Sequence, residues 1–279
     1  ARPSQIVHDR QLMAGAPLCV VLVEPAGPLN VGSVARLCAN FGVDDLRLVA
    51  PRCDPNAPEA QRMAVHGRSV LAAARIFPTL LEAVSDCHRV VTTAGRLDHG
   101  AIPLGPPEAV LPWAISGSSM QPLALVFGRE DHGLTNDELL LSQRVISLRS
   151  AEAYPSLNLS HAVAVVLHEV ARLQATIGPE GAPGGDRNSG PSSNLNSGLN
   201  RDLQGDYTDD PAGPKALEAC LNDAQDLLLE VGFLLDHTAR ARMAKVRGLL
   251  QRGLIRADEV ALLRGMVRQL RWAVRQHRP

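Results

Sequence analysis

The feature that most constrains this chain is a series of short apolar runs separated by helix-like segments. The runs cover residues 18–23, 46–49, 89–92, 123–127 and 145–148. Several are near-continuous Val and Leu, the pattern of strands buried on both faces. Between them, residues 31–41, 78–85 and 136–142 read as helices, and 158–176 as a longer helix with one apolar side. Strand and helix in alternation predict an α/β domain with a mainly parallel sheet. Hydrophobic residues make up 45% of the chain, enough to give such a sheet a core.

The pattern stops near residue 178. A stretch rich in Gly, Pro, Ser and Asn follows, which buries too little apolar surface to order itself. Residues 178–213 are therefore expected to be a flexible linker. Beyond it, 214–235, 240–252 and 257–276 read as three amphipathic helices. The expected organisation is an α/β domain over 1–177, the linker, and a small helical unit over 214–279.

Charge is unevenly spread. Residues 237–279 hold 11 Lys/Arg and 2 Asp/Glu, a net +9, so the rest of a chain of net charge −1 carries −10. A basic end points to a polyanionic partner, with a solvated helix face as the plain alternative. No apolar run is long enough to span a bilayer, and the opening Ala1-Arg2-Pro3-Ser4 lacks a signal peptide's apolar stretch. Five scattered cysteines without a C-x-x-C pair argue against a disulfide framework or a zinc site. A cytoplasmic protein without a metal is expected.

Three segments carry candidate chemistry. The first, Glu24 to Arg36, follows a strand and opens a helix. Gly27, Gly32 and Ser33 mimic a P-loop, but Ser33 stands where the phosphate-gripping Lys belongs, which excludes that mode of triphosphate binding. Asn30 and Arg36 remain: backbone amides there can hold a phosphate and Arg36 can add a charged fork, or the segment is a capped helix with a surface Arg. The second, Phe127 to Leu134, runs from a strand into a Gly-flanked turn bearing Glu130 and His132. Strand ends of this kind bind ligands in open α/β sheets; the plain alternative is a tight loop with an exposed salt bridge. The third, Tyr154 to Ala162, enters the long helix, with Ser156 or Asn158 available to cap it.

In this order the three segments resemble the SpoU-type branch of the SPOUT methyltransferases. The family motif N-x-G-S-x-A-R is similar to Asn30–Arg36, F-G-x-E-x-x-G-L matches Phe127–Leu134 at every fixed position, and S-L-N-L/V-S/A matches Ser156–Ser160. The resemblance implies an α/β fold whose C-terminal part forms a trefoil knot, S-adenosylmethionine as cofactor, and methyl transfer to an RNA ribose 2′-hydroxyl by a homodimer. It implies Arg36, Asn30, Glu130, Ser156 and Asn158 as catalytic residues. It also implies cofactor binding by Thr93, Ala94, Gly95, Gly128, Leu148, Pro155, Ser156 and Leu157. Ala94-Gly95 departs from the Ser-Ala more usual in the subgroup. Gly232-Phe233, Lys245-Val-Arg247 and Leu263-Arg264-Gly265-Met266 resemble the tail of bacterial tRNA methyltransferases acting on position 32 of the anticodon loop. The expected partner is tRNA, with Arg36, Arg240, Arg242, Lys245 and Arg247 on its phosphates. The competing readings are an inactive RNA-binding module of the same fold, or an enzyme acting on ribosomal RNA or another tRNA position.

Overall fold

A computed structural model describes residues 17–95, 102–116, 121–148, 156–176 and 210–276. Seven strands form one sheet: β1 (Leu18–Val23), β2 (Asp45–Val49), β3 (Arg75–Phe77), β4 (Arg89–Thr93), β5 (Leu104–Gly105), β6 (Leu123–Phe127) and β7 (Arg144–Ile146). Their order is β3-β2-β1-β6-β4-β7-β5, and every pairing is parallel. Both faces are covered, as the unbroken apolar runs require. Val20 and Leu22 of β1 point into one core with Val34, Cys38, Leu125, Val163 and Val166. Cys19, Val21 and Val23 point into the other with Leu80, Val84, Val90 and Val126.

The first core is roofed by α1 (Pro28–Asn40), α2 (Pro58–Ala64), α3 (Arg68–Ala72), α5 (Pro107–Ile115) and α7 (Leu159–Thr176); α4 (Leu80–Ala83) covers the second. Helix α6 (Asn136–Leu139) is held by a capping box in which Thr135 and Glu138 satisfy each other's backbone amides. Residues 78–85 and 136–142, read as helices, thus shrink to single capped turns. Residues 145–148, read as a strand, pair only to Ile146, starting one residue earlier. The three-residue edge strand β3 and two-residue β5 were invisible to pattern, because runs so short carry no period.

The tail forms α8 (Pro214–Glu230), α9 (Asp236–Arg252) and α10 (Ala257–Gln276) around a core of Leu217, Cys220, Leu221, Leu234, Met243 and Val260. Helix α8 ends before the expected residue 235, because Gly232 turns the chain at φ +74°. Most of the stretch read as linker lies outside the described residues, and its last four residues, 210–213, are bonded to the rest of the fold. Asp210 is buried and pairs with the buried Arg89 at the start of β4, 2.8 Å away. Ala212 donates its amide to the Ile255 carbonyl at 2.7 Å. Residues 210–213, at the end of that stretch, tie the tail to the sheet. The Gln251 side chain, also buried, adds a bond to the Leu140 carbonyl at 3.3 Å.

Candidate active site

The chain builds outward from β1 through β2 and β3, then crosses to the other side, where it lays down β4 and β5 before inserting β6 between β1 and β4. That reversal is where open α/β sheets gather their functional loops, at the carboxyl ends of the strands. Because Leu22 of β1 is in register with Phe127 of β6, the turns leaving both strands emerge side by side. The first turn begins at Glu24, whose φ of +45° is unusual for a residue with a side chain. The second begins at Gly128. A Cβ there would lie 2.4 Å from the carbonyl carbon of Gly133, so the turn can close on itself only with glycine. The close approach expected from a ligand is made, at this glycine, by its own turn.

Glu130 crosses from the second turn to the first. Its carboxylate accepts the amides of Ala26 (3.1 Å) and Gly27 (3.2 Å) and the Asn30 side-chain amide (3.1 Å). The amides preceding α1 are thereby satisfied by a carboxylate from within the chain, which replaces the phosphate that the sequence allowed there. Partial burial alone would raise the pKa of Glu130, but the hydrogen bonds from Asn30, Ala26 and Gly27 outweigh it and hold the group below its ordinary value. Glu130 is thus an acceptor-only anion at neutral pH.

The same polarity propagates. With its Nδ2 given to Glu130, Asn30 presents Oδ1 to the Asn158 Nδ2 at 3.1 Å. Asn158 then turns its own Oδ1 to the Ser160 amide (2.9 Å) and Ser160 hydroxyl (2.8 Å). Asn158 therefore caps α7, as the sequence allowed for it or Ser156, and joins the relay at the same time. One residue from each of the three sequence motifs meets here. Ser156 and Leu157 precede the cap and are exposed.

Arg129 fixes the second turn from behind. Its buried guanidinium bonds Glu24 Oε1 (2.5 Å), both Glu138 oxygens (2.8 and 2.9 Å) and the Gly133 carbonyl (3.2 Å). The arginine's hydrogen bond and charge lower the pKa of Glu24; for Glu138 they outweigh the burial that would raise it. Nothing in the sequence singles out Arg129; the local signal beside it is the Thr135–Glu138 capping-box spacing. His132 stays outside the cluster, exposed beside Asp131.

The residues expected around a cofactor lie at the ends of three adjacent strands: Thr93 ends β4 and Ala94 and Gly95 follow it, Gly128 follows β6, and Leu148 lies beyond β7. Thr93 Oγ1 donates to the Val126 carbonyl (3.2 Å) and the Ala94 amide to Ile146 (2.9 Å), which sews these ends together. Ala94 packs with Leu134 and Leu140 around buried Ile102, Leu139 and Val145. Small residues over an apolar floor fit a flat adenine such as that of S-adenosylmethionine. Pro155 lies outside the described residues.

Arg36 is not brought to the relay. It lies six residues beyond Asn30 on α1, roughly 9 Å along and 120° around a helix. It is exposed, without a hydrogen-bond or ion-pair partner among the described residues. Gly32, between the two, serves packing: a Cβ there would sit 2.2 Å from the Ala60 carbonyl oxygen of α2. In the tail, Arg242 and Lys245 are exposed, but Arg240 pairs with Asp137 and Arg247 is turned inward onto Glu218. Among the described residues no group of His, Cys, Asp or Glu is placed to hold a metal ion, and no helix is long and apolar enough to cross a membrane.

A family model, the SpoU rRNA Methylase family, matches residues 17–168. The tRNA (cytidine-2′-O-)-methyltransferase TrmJ of Methanocaldococcus jannaschii is 39% identical over 158 residues, 55% of this chain and 66% of that protein. The tRNA (cytidine/uridine-2′-O-)-methyltransferase TrmJ of Cronobacter sakazakii is 32% identical over 250 residues, 89% of this chain and 93% of that protein. The crystal structure of TrmJ from Z. mobilis ZM4 superposes with a TM-score of 0.74 at 28% identity, over 92% of this chain and all of the other. With the three motifs joined in one hydrogen-bonded cluster at the sheet's reversal, and with more than half its length matched, this chain belongs to the SpoU rRNA Methylase family.

Proposed function

We propose that this chain transfers the methyl group of S-adenosylmethionine to a ribose 2′-hydroxyl of tRNA, at position 32 of the anticodon loop. The observation that carries the reading is the Asn30–Glu130–Asn158 relay, which joins all three motifs where the sheet reverses. The similarity to tRNA 2′-O-methyltransferases along almost the whole chain, tail included, supports tRNA as the substrate class.

When bound, the cofactor supplies a methyl group already activated on a sulfonium. The protein's part is to align the hydroxyl, exclude water and let the proton leave. Thr93 to Gly95, Gly128, Leu148 and residues 155–157 are the proposed cofactor-binding positions, and Thr93 and Ala94 are tied to β6 and β7 by hydrogen bonds. Glu130 is a positioning residue: as a fixed anion it sets the amide orientations of Asn30 and Asn158. Ser156 and Asn158 flank the acceptor. Arg36 grips the phosphate beside the reacting ribose, since a guanidinium donates hydrogen bonds and accepts none. Its exposure far from the relay on its own chain supports a homodimer in which Arg36 serves the partner's centre. A trefoil knot in the C-terminal part of residues 1–177 and a cytoplasmic location belong to the same reading.

The test is transfer of labelled methyl from S-adenosylmethionine to unmodified tRNA and, separately, to ribosomal RNA, with mass-spectrometric mapping of the product. A 2′-O-methylated nucleotide 32 is expected. Methylation of ribosomal RNA alone, or of a base, would overturn the proposal.

A further inference from the structure

The tail carries the net positive charge, yet much of it is neutralised in place. Arg240 pairs with Asp137, Arg247 with Glu218, Arg264 with Asp223, and Arg271 and Arg275 with Glu230. A different face of the molecule collects cations without carboxylates. Residues 28–43, which include α1, contain Arg36 and no Asp or Glu. Residues 60–81 contain Arg62, His66, Arg68 and Arg75, again with no acidic residue. Arg62 pairs with Glu59 and Arg75 with Asp45, whereas Arg36, His66 and Arg68 are exposed and have no carboxylate partner among the described residues.

The backbone brings the segments that carry these three residues together. Between α2 and α3 the chain makes a single 3-10 turn, Val65–Gly67. Gly67 is pressed against α1: a Cβ there would lie 2.4 Å from the Ala35 carbonyl oxygen and 2.7 Å from the Arg36 Cα. His66 and Arg68 are thus the immediate neighbours of the residue that touches Arg36. The approach is reached through Val65 at φ 48°, ψ −104°, a conformation a β-branched residue rarely takes. Such strain persists only where surrounding structure demands it. Arg68 Nε donates to the Gln61 carbonyl at 3.2 Å, which orients the guanidinium and leaves its terminal nitrogens available.

We propose that His66 and Arg68, set beside Arg36 by the Val65–Gly67 turn, form with it a binding site for consecutive phosphates of the RNA strand that carries the methylated ribose. This rests on the RNA methyltransferase reading above and extends it: the strand enters over the α1–α3 face, and His66 and Arg68 fix its register relative to Arg36.

The experiment measures tRNA affinity of the full chain at several salt concentrations, with methyl-transfer kinetics, S-adenosylmethionine binding and thermal unfolding alongside. For Arg68→Gln the salt slope, log Kd against log salt, should fall by about one, as for one lost phosphate contact. The tRNA KM should rise about tenfold, with the loss concentrated in KM rather than kcat and cofactor affinity kept. His66→Gln should raise KM severalfold, and Arg68→Lys should restore the salt slope. The melting temperature identifies any variant that loses activity by unfolding, and Arg68→Lys then carries the comparison. An unchanged slope and KM in both Gln variants, with the parent binding tRNA normally, would overturn the site and leave the proposed function standing. A parent chain that binds no tRNA would overturn the proposed function and the site with it.

Discussion

Glu130 accepts from the side-chain amide of Asn30 at 3.1 Å, across 100 residues of chain, and this bond decides the orientation of every amide behind it. An ionised carboxylate only accepts, so Asn30 must offer Nδ2 and keep Oδ1 for Asn158, which in turn must face Ser160 with Oδ1. Glu130→Gln brings an amide donor against Ala26, Gly27 and Asn30, all donors. Leaving one such group unpaired costs about 1–3 kcal/mol. Methyl transfer is expected to fall roughly a hundredfold, as when a preorganised polar group is lost. Steady-state kinetics check it, and turnover within twofold of the parent would sink the role.

Asn158 has two separable functions. Asn158→Asp keeps a good helix cap but removes the donor to Asn30, whereas Asn158→Ala removes both. The Ala variant should lose about 1 kcal/mol of stability and the Asp variant much less, while both lose activity. Denaturant unfolding together with kinetics separates the two. Equal activity in the Asp variant and the parent would show that Asn158 serves only as a cap.

The Arg129 fork makes stability depend on pH. Glu24 and Glu138 have depressed pKa values in the folded chain, so their contribution is fully present above the unfolded value of about 4.3 and is lost as pH falls through the lower folded values. The parent should therefore show an acid limb of falling stability below about pH 4.3. Arg129→Gln should lower stability at neutral pH and flatten that limb. Unfolding midpoints measured from pH 3 to 7 decide it; parallel curves would contradict the assignment.

Arg89 and Asp210 tie the tail to the sheet. Both side chains are at least nine-tenths buried, so Asp210→Asn leaves a buried guanidinium without its counter-charge. A loss of about 3–5 kcal/mol is expected, and the double variant Arg89→Met/Asp210→Leu should recover much of it. Hydrogen exchange in α8 to α10 reads whether the tail is released. Unchanged protection in Asp210→Asn would show the anchor to be dispensable.

Arg36→Ala should abolish methyl transfer while S-adenosylmethionine still binds, because Arg36 is proposed to grip the RNA phosphate and not the cofactor. Calorimetry with the cofactor, beside a methylation assay, tests both halves. Near-normal turnover would remove Arg36 from the mechanism.

The α/β class was legible because burial on both faces leaves β1 and β6 as unbroken apolar runs, and α10 because its amphipathic period runs over 20 residues. The three motifs were legible because each carries residue types that packing alone does not require. Sequence could not say that Glu130 caps the turn before α1, since that follows from the register of β1 with β6. It gave no sign of Arg129 as the pivot of Glu24 and Glu138, because an arginine in a polar turn looks the same whether solvated or buried. The basic tail shows the same limit. Its +9 is a property of composition, but which arginines remain free depends on where Asp137, Glu218, Asp223 and Glu230 lie in space. Local pattern determines elements because neighbours in sequence share a helix or a strand. Charge partners and strand neighbours are chosen across a hundred residues, and only the tertiary structure makes that choice.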